Sequence, residues 1–115
     1  MTGTADYMQL GRAGELRVAS ELLLRGHSPS LSLVDRGVDL ICDCGKTIQV
    51  KTASLTPGGR KRNPRYSFNF TNWHKKAPAV SASDIVICWG VNTDLFWIFS
   101  GEETCRRQVN INPFT

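Results

Sequence analysis

Two short runs rich in β-branched residues, separated by a turn, most constrain how this chain can fold. The runs cover residues 38–43 (Val-Asp-Leu-Ile-Cys-Asp) and 47–53 (Thr-Ile-Gln-Val-Lys-Thr-Ala), and a Cys-Gly-Lys segment at 44–46 joins them. Runs of this kind on either side of a glycine-containing turn predict a β-hairpin.

The register of this hairpin decides which polar side chains meet. A three-residue loop at 44–46 places Asp39 opposite Lys51 and Ile41 opposite Gln49. Because side chains alternate along a strand, Asp39, Gln49 and Lys51 then share one face, whereas a two-residue loop would separate Asp39 from Lys51. The other face carries an apolar set suited to packing: Val38, Leu40, Ile48 and Val50. Taken alone, the three polar residues can also form an ordinary solvated face with an Asp-Lys pair.

Residues 6–25 have the pattern of an amphipathic helix, with Asp6 as a candidate N-cap and Gly26 as a C-terminal stop. On a helical wheel Glu15 falls in the centre of the apolar stripe. The stripe consists of Leu16, Val18, Ala19, Leu22 and Leu23. A carboxylate there must lose water, which is costly unless a metal, a cation or strong hydrogen bonds compensate.

If this helix packs on the hairpin, Glu15 can join Asp39, Gln49 and Lys51 in one polar cluster. The alternative for Glu15 is a simple salt bridge to Lys51 or to Arg12. The position of Glu15 on an apolar stripe favours the cluster, because a desolvated carboxylate is rarely retained without a use.

The rest of the chain reads mainly as strands. Residues 65–70 alternate aromatic and polar side chains, and residues 85–91 and 95–100 predict a second hairpin. Residues 54–64 read as a loop, and residues 72–83 are ambiguous, with room for a short helix. One long helix followed by strands predicts an α/β (α+β) class with a mixed sheet, and the 115 residues predict a single domain spanning 1–115.

Composition and cysteine spacing indicate where the protein resides and in which state its cysteines are. The longest apolar stretches are far shorter than the ~18 residues of a membrane span, and no secretory signal is visible, so we expect a cytoplasmic protein. The four cysteines can in principle bind zinc with His27 or His74, but no zinc-site or redox spacing is present, and free thiols are expected. These cysteines are Cys42, Cys44, Cys88 and Cys105.

Positive charge is concentrated in the middle of the chain. Residues 44–83 carry eight basic side chains and no acidic one, whereas residues 1–43 and 84–115 each have an acidic excess. Such segregation is typical of a surface that meets phosphates, although a solvated basic loop produces the same pattern. The basic residues are Lys46, Lys51, Arg60, Lys61, Arg62, Arg65, Lys75 and Lys76.

Three short motifs in this order resemble the PD-(D/E)XK nuclease superfamily. They are Gly-Glu at 14–15 in the first helix, Gly-Val-Asp-Leu-Ile at 37–41, and Ile-Gln-Val-Lys-Thr at 48–52. The resemblance is greatest to the small branch that includes archaeal Holliday junction resolvases and an intron homing endonuclease. It implies a restriction-endonuclease-like core, in which helices flank a mixed four-stranded sheet, and a metal-dependent DNA endonuclease activity.

The resemblance also implies roles for individual residues. Asp39 matches the metal-binding aspartate, Glu15 the first-helix glutamate and Lys51 the motif lysine, while Val50 would offer its backbone carbonyl to the metal. The implied cofactor is Mg²⁺ or Mn²⁺. Gln49 stands where most relatives have Glu or Asp, and its amide oxygen can coordinate a hard cation but brings no charge.

The implied partner is DNA. Residues placed to contact its backbone are Arg60, Lys61, Arg62, Arg65, Lys75 and Lys76, with Trp73 available for stacking. Cleavage of both strands by one small domain predicts a homodimer or higher homo-oligomer. The aromatic residues Trp89, Phe96, Trp97 and Phe99 are expected in the core or at that interface. A non-catalytic nucleic-acid-binding module and a structural RNA-binding protein are the open alternatives.

Overall fold

The computed structural model describes residues 4–33, 37–72, 77–78, 83–105 and 108–115. This part of the chain forms one α-helix, nine β-strands and one short 3-10 helix. In chain order the elements are α1 (Tyr7–Leu24), β1 (Ser30–Leu31), β2 (Leu40–Ile41), β3 (Thr47–Ala53), β4 (Tyr66–Asn69), β5 (Thr71–Asn72), β6 (Ala77–Pro78), β7 (Ile85–Gly90), β8 (Leu95–Ser100), the 3-10 helix (Glu102–Cys105) and β9 (Gln108–Ile111).

The central sheet has five strands in the order β1-β2-β3-β7-β8. Strands β3 and β7 run parallel, and every other neighbouring pair is antiparallel. The predicted α+β class with a mixed sheet is therefore confirmed. Strands β4 and β9 form a separate antiparallel pair, as do β5 and β6.

Helix α1 begins and ends where its sequence predicts. The Asp6 carboxylate accepts a hydrogen bond from the Gln9 backbone N–H at 2.8 Å, and the Gln9 side chain accepts one from the Asp6 N–H at 2.9 Å. This reciprocal pair satisfies two backbone donors of the first turn. After the C-cap at Arg25, Gly26 adopts a φ of 88°, which only glycine takes without strain.

The central sheet lies between two layers. Val18 of α1 packs against one face, on Leu40, Ile48 and Ile87. Because side chains alternate along β7, Val86 and Cys88 point to the opposite face, where Tyr66 and Phe68 of β4 cover them. The structure thus has a helix on one side of the sheet and the β4–β9 pair on the other.

This arrangement corrects the expected flanking helices. Within the described residues α1 is the one α-helix, and the face opposite to it is covered by the β4–β9 pair. The cause is visible in the sequence at 66–70, where aromatic side chains alternate and bury Tyr66, Phe68 and Phe70 on one side of an extended strand. Strand β9, which completes this layer, was not predicted.

Two further corrections concern register. The first hairpin pairs Leu40 with Ile48 and Ile41 with Thr47. The predicted pairing of Ile41 with Gln49 is therefore wrong. The loop has three residues, but it is 43–45 rather than 44–46, because Gly45 adopts a φ of 91° and must be the last loop residue. This shift changes the pairing partner of each residue and leaves its face unchanged.

The buried stripe of α1 also differs from the helical-wheel prediction. Gly14 and Val18 are buried, with Ala19 and Leu22 packed beside them, whereas Leu16 and Leu23 are more than half exposed. On the helical wheel Glu15 falls between Leu22 and Ala19, within the observed stripe, and 20% of its side chain is exposed. Among the described residues, no helix has both the length and the apolar composition needed to cross a membrane.

Candidate functional site

Asp39 is held at the start of the first hairpin by two bonds to the neighbouring strand. Its side-chain Oδ2 accepts a hydrogen bond from the Val50 backbone N–H at 2.8 Å, and its own N–H donates to the Ile48 carbonyl at 2.8 Å. Strand β2 begins only at Leu40, so the Asp39 carboxylate supplies the acceptor that a longer strand would have provided from its backbone. The side chain is half-buried and its orientation is determined by β3.

Gln49 and Lys51 lie on one face of β3. Ile48 faces α1 and is 2% exposed, and alternation directs Gln49 and Lys51 to the opposite face. The strand pairing ends at Leu40 and Ile48, and the bonds of Asp39 to the Ile48 carbonyl and the Val50 N–H place it beside this part of β3. Gln49 and Lys51 therefore share the face turned away from α1, and Asp39 is bonded to the same strand; that all three side chains share one face stays a prediction.

Lys51 is paired with Cys88 of β7 in the parallel register. Burial raises the pKa of the Cys88 thiol to about 12, while the positive charge of Lys51 acts in the opposite direction. The lysine is itself only partly buried. The Lys51 side chain therefore starts beside a buried thiol, at a partly buried position of the sheet.

Glu15 is positioned by an unusually close contact between α1 and β3. A Cβ atom added to Gly14 would lie 1.8 Å from Thr52 Oγ1, so only glycine allows this approach. Glu15 follows in the helix with 20% of its side chain exposed, and it forms an ion pair with Arg12 at 3.0 Å. This is one of the alternatives considered for Glu15, and its approach to Asp39 stays a prediction.

The basic loop between β3 and β4 is a small hairpin. Bridges between Thr56 and Arg65 and between Gly59 and Arg62 close it, which leaves Arg60 and Lys61 exposed at its tip. An open groove of about 510 Å³ runs beside it. The groove is lined by Arg62, Asn63, Pro64, Arg65, Asn110 and Asn112.

Two lining residues were missed by the sequence analysis. Asn110 and Asn112 lie in and directly after β9, a strand of four residues whose alternation of polar and apolar side chains is the signal that could have revealed it. Polar amides next to two arginines make a surface suited to phosphate and sugar contacts. The predicted contacts Lys75 and Lys76, together with Trp73, lie outside the described residues.

The aromatic residues of the second hairpin serve the core. Trp97 stacks on Tyr66 and Phe68 with ring centroids 5.7 and 6.0 Å apart, and Phe99 packs on Phe70. Phe96 packs against the helix-side core cluster and lies 5.0 Å below the Arg17 guanidinium. For these residues the core interpretation is confirmed.

The fold that surrounds this site is that of an endonuclease of known structure. The chain is similar to a bacterial homing endonuclease, I-Ssp6803I, with a TM-score of 0.72 over 93% of this chain and 78% of that chain. The two sequences are 16% identical, so the likeness concerns the fold. The chain matches no protein-family model and no curated protein sequence.

Proposed function

We propose that this protein is a metal-dependent DNA endonuclease of the PD-(D/E)XK type. The observation that carries the proposal is the hydrogen bond from Val50 N–H to Asp39, on a hairpin that also presents Gln49 and Lys51 from one face. The shared fold with a homing endonuclease supports the same conclusion. The reaction is hydrolysis of phosphodiester bonds in DNA.

The oxygen donors around Asp39 suit Mg²⁺ or Mn²⁺. In a β-strand the N–H and C=O of one residue point to the same side, so the Val50 carbonyl faces the strand edge at which Asp39 accepts the Val50 N–H. A carboxylate, the Gln49 amide oxygen and this carbonyl are the hard ligands that these cations prefer. Glu15 is the proposed further carboxylate; it extends from α1 on the other face of the sheet and would reach the cation past the short strand β2. When bound, such a cation would stabilise the negative charge that develops on the phosphate.

The chain's own residues would orient the reactants. Lys51 would hold the attacking water through its ammonium group, and Asp39 would stay aligned because Val50 fixes its carboxylate. Water attacks the phosphorus, the bond from phosphorus to the 3′ oxygen breaks, and the leaving oxygen takes up a proton. The products carry 5′-phosphate and 3′-hydroxyl ends.

DNA would be held mainly through its backbone by the basic hairpin and its groove. Arg62 and Arg65 line the groove, and Arg60 and Lys61 extend from the tip of the hairpin. Lys75 and Lys76 are proposed as additional phosphate contacts. A homodimer would bring two copies of the site to the two strands.

A second candidate function is a non-catalytic nucleic-acid-binding module of the same fold. The observation that favours it is Gln49, which supplies an uncharged oxygen next to Asp39 where an acid would attract a cation more strongly. The basic hairpin would serve both functions equally.

Strand cleavage distinguishes the two functions. Incubation with supercoiled plasmid, linear duplex, a four-way junction or single-stranded DNA in Mg²⁺ or Mn²⁺ should produce breaks in at least one substrate, and a chelator should abolish them. Lys51→Ala should reduce the rate by about 100-fold or more. The matched control is Lys46→Ala, an exposed lysine at the turn of the same hairpin, which should cleave at the normal rate. If neither metal supports cleavage of any of these substrates, the endonuclease proposal is wrong.

A further inference from the structure

Three metal-binding side chains of different types meet at the end of α1, away from the face that carries Gln49 and Lys51. The Sγ atom of Cys42 lies 3.7 Å from Nδ1 of His27 and 3.2 Å from Oδ1 of Asp43. The remaining side of the triangle, from His27 Nδ1 to Asp43 Oδ1, measures 3.5 Å. Their ligand atoms thus converge on one point.

These separations match the edges of a tetrahedral zinc site. With Zn–S near 2.3 Å and Zn–N and Zn–O near 2.0–2.2 Å, tetrahedral ligand atoms stand about 3.4–3.6 Å apart. The observed triangle departs from those values by a few tenths of an ångström, which small side-chain rotations supply. His27 and Asp43 are nearly half exposed, so an ion can reach the triangle from solvent.

We propose that His27 Nδ1, Cys42 Sγ and Asp43 Oδ1 bind one Zn²⁺ ion. The exposed Cys44, two residues after Cys42 on the same turn, is the fourth ligand once its side chain turns toward the ion. A set of thiolate, imidazole and carboxylate favours zinc over the oxygen-binding Mg²⁺. The site is therefore distinct in chemistry from the oxygen donors around Asp39.

The position of the ligands defines what the ion would do. His27 follows α1 directly, whereas Cys42 and Asp43 belong to the turn between β2 and β3. Zinc would connect the end of the helix to the hairpin and hold α1 against the sheet. The Cys42 thiol, which donates a hydrogen bond to Asp43, would release its proton when the ion binds.

Spacing alone could not reveal this site. Cys42 and Cys44 are separated by one residue, and His27 lies 15 residues upstream of Cys42. The turn at Gly26, with a φ of 88°, returns the chain after the helix and brings His27 to the hairpin.

The test is metal titration of the reduced protein in excess Mg²⁺. We expect one equivalent of Zn²⁺ to bind and to raise the unfolding temperature, and a chelator to reverse both effects. Co²⁺ in place of Zn²⁺ should give a thiolate-to-metal charge-transfer absorption. His27→Ala and Asp43→Asn should each weaken zinc binding by at least about tenfold, since even second-layer changes cost that much. Both residues are partly exposed, so these variants should fold.

Controls locate the ion. Glu103→Gln, an exposed carboxylate on the 3-10 helix, should bind zinc with unchanged affinity. Asp39→Asn, which keeps the hydrogen bond to Val50, should also leave zinc affinity unchanged, which separates this site from the proposed nuclease centre. Stoichiometric zinc binding that survives both His27→Ala and Asp43→Asn would place the ion elsewhere and overturn the proposal. Absence of stoichiometric binding would overturn it as well.

Discussion

The carboxylate of Asp39 accepts a hydrogen bond from the backbone N–H of Val50 at 2.8 Å. Because β2 is only two residues long, this bond satisfies a β3 donor that would otherwise lack a strand partner at that point. Asp39 therefore contributes to the hairpin's structure in addition to its proposed role in catalysis. Substitutions at Asp39 can separate these two contributions.

Asp39→Asn should keep the stability of the protein and abolish the proposed DNA cleavage. Asp39→Ala should lower the stability and abolish cleavage as well. An amide oxygen still accepts the Val50 N–H, but alanine leaves that donor unpaired, at a cost of about 1–3 kcal/mol in the free energy of unfolding. Neither variant carries the charge that the proposed cation requires. Urea denaturation and a plasmid-nicking assay would measure the two effects, and an Asp39→Asn variant with normal cleavage would exclude Asp39 as a metal ligand.

Gln49→Glu should strengthen divalent-metal binding at the proposed site. Most members of the PD-(D/E)XK superfamily, which the sequence motifs resemble, have a carboxylate at this position. A carboxylate attracts a hard cation more strongly than an amide does. The concentration of Mg²⁺ needed for half-maximal cleavage should decrease. The control is Asn69→Glu, at an exposed position on β4, which adds an equal charge and should leave this Mg²⁺ concentration unchanged.

Gly14→Ala should destabilise the protein and Gly11→Ala should not. The new methyl group at 14 would collide with Thr52 Oγ1, and forced repacking of this kind costs about 1–3 kcal/mol. Among the described residues, and outside the helix's own neighbouring backbone, no atom lies within 4 Å of the position that a Cβ at Gly11 would take, so alanine there should stabilise by up to about 1 kcal/mol through helix propensity. Urea midpoints of the two variants would show opposite shifts. Equal shifts would mean that α1 does not approach β3 this closely.

Asp94→Asn should lower the stability of the protein near neutral pH. The variant should also lose less stability than the wild type when the pH falls. Hydrogen bonds from Arg17, and then from Trp89, lower the pKa of the Asp94 carboxyl. A carboxyl with a lowered folded-state pKa contributes stability above its unfolded pKa of about 3.9, and this contribution is lost as pH falls through the folded-state value. With 52% of the Asp94 side chain exposed, we expect an effect of about 1 kcal/mol at pH 7.

Unfolding measured from pH 7 to pH 2 would test this sign. The difference between wild type and Asp94→Asn should shrink below about pH 4. Glu103→Gln provides the surface control, with no change expected in the pH profile. A difference that grows toward low pH would contradict the assignment.

Neutralising Arg60, Lys61 and Arg62 together should lower the affinity for DNA. The affinity of the triple variant should also depend less steeply on salt concentration. Each lost phosphate contact should reduce the slope of log affinity against log salt by about one unit, because fewer counterions are released. Arg25→Gln, at the end of α1 and paired with Glu21, provides the control for a general charge effect. An unchanged slope in the triple variant would show that the basic hairpin does not contact DNA.

Local chemistry made several elements predictable. Asp6 and Gly26 delimit α1 through backbone capping and a positive φ, and both signals act within a few residues. Strand β3 spans the predicted 47–53 because its β-branched residues favour an extended chain. The predicted pairing of Ile41 with Gln49 was wrong by two residues, because Ile41 pairs with Thr47 and the position of Gly45 within the turn determines the register.

The sequence by itself determined the helix, the main hairpins and the placement of Gln49 and Lys51 on one face of β3. These features follow from capping, turns and alternation, which depend on near neighbours in the chain. Only the tertiary structure decided that the β4–β9 pair covers the second face of the sheet and that His27 reaches Cys42 and Asp43. Those contacts join distant segments, and they depend on how close α1 and the strands can approach, as the contact of Gly14 with Thr52 illustrates.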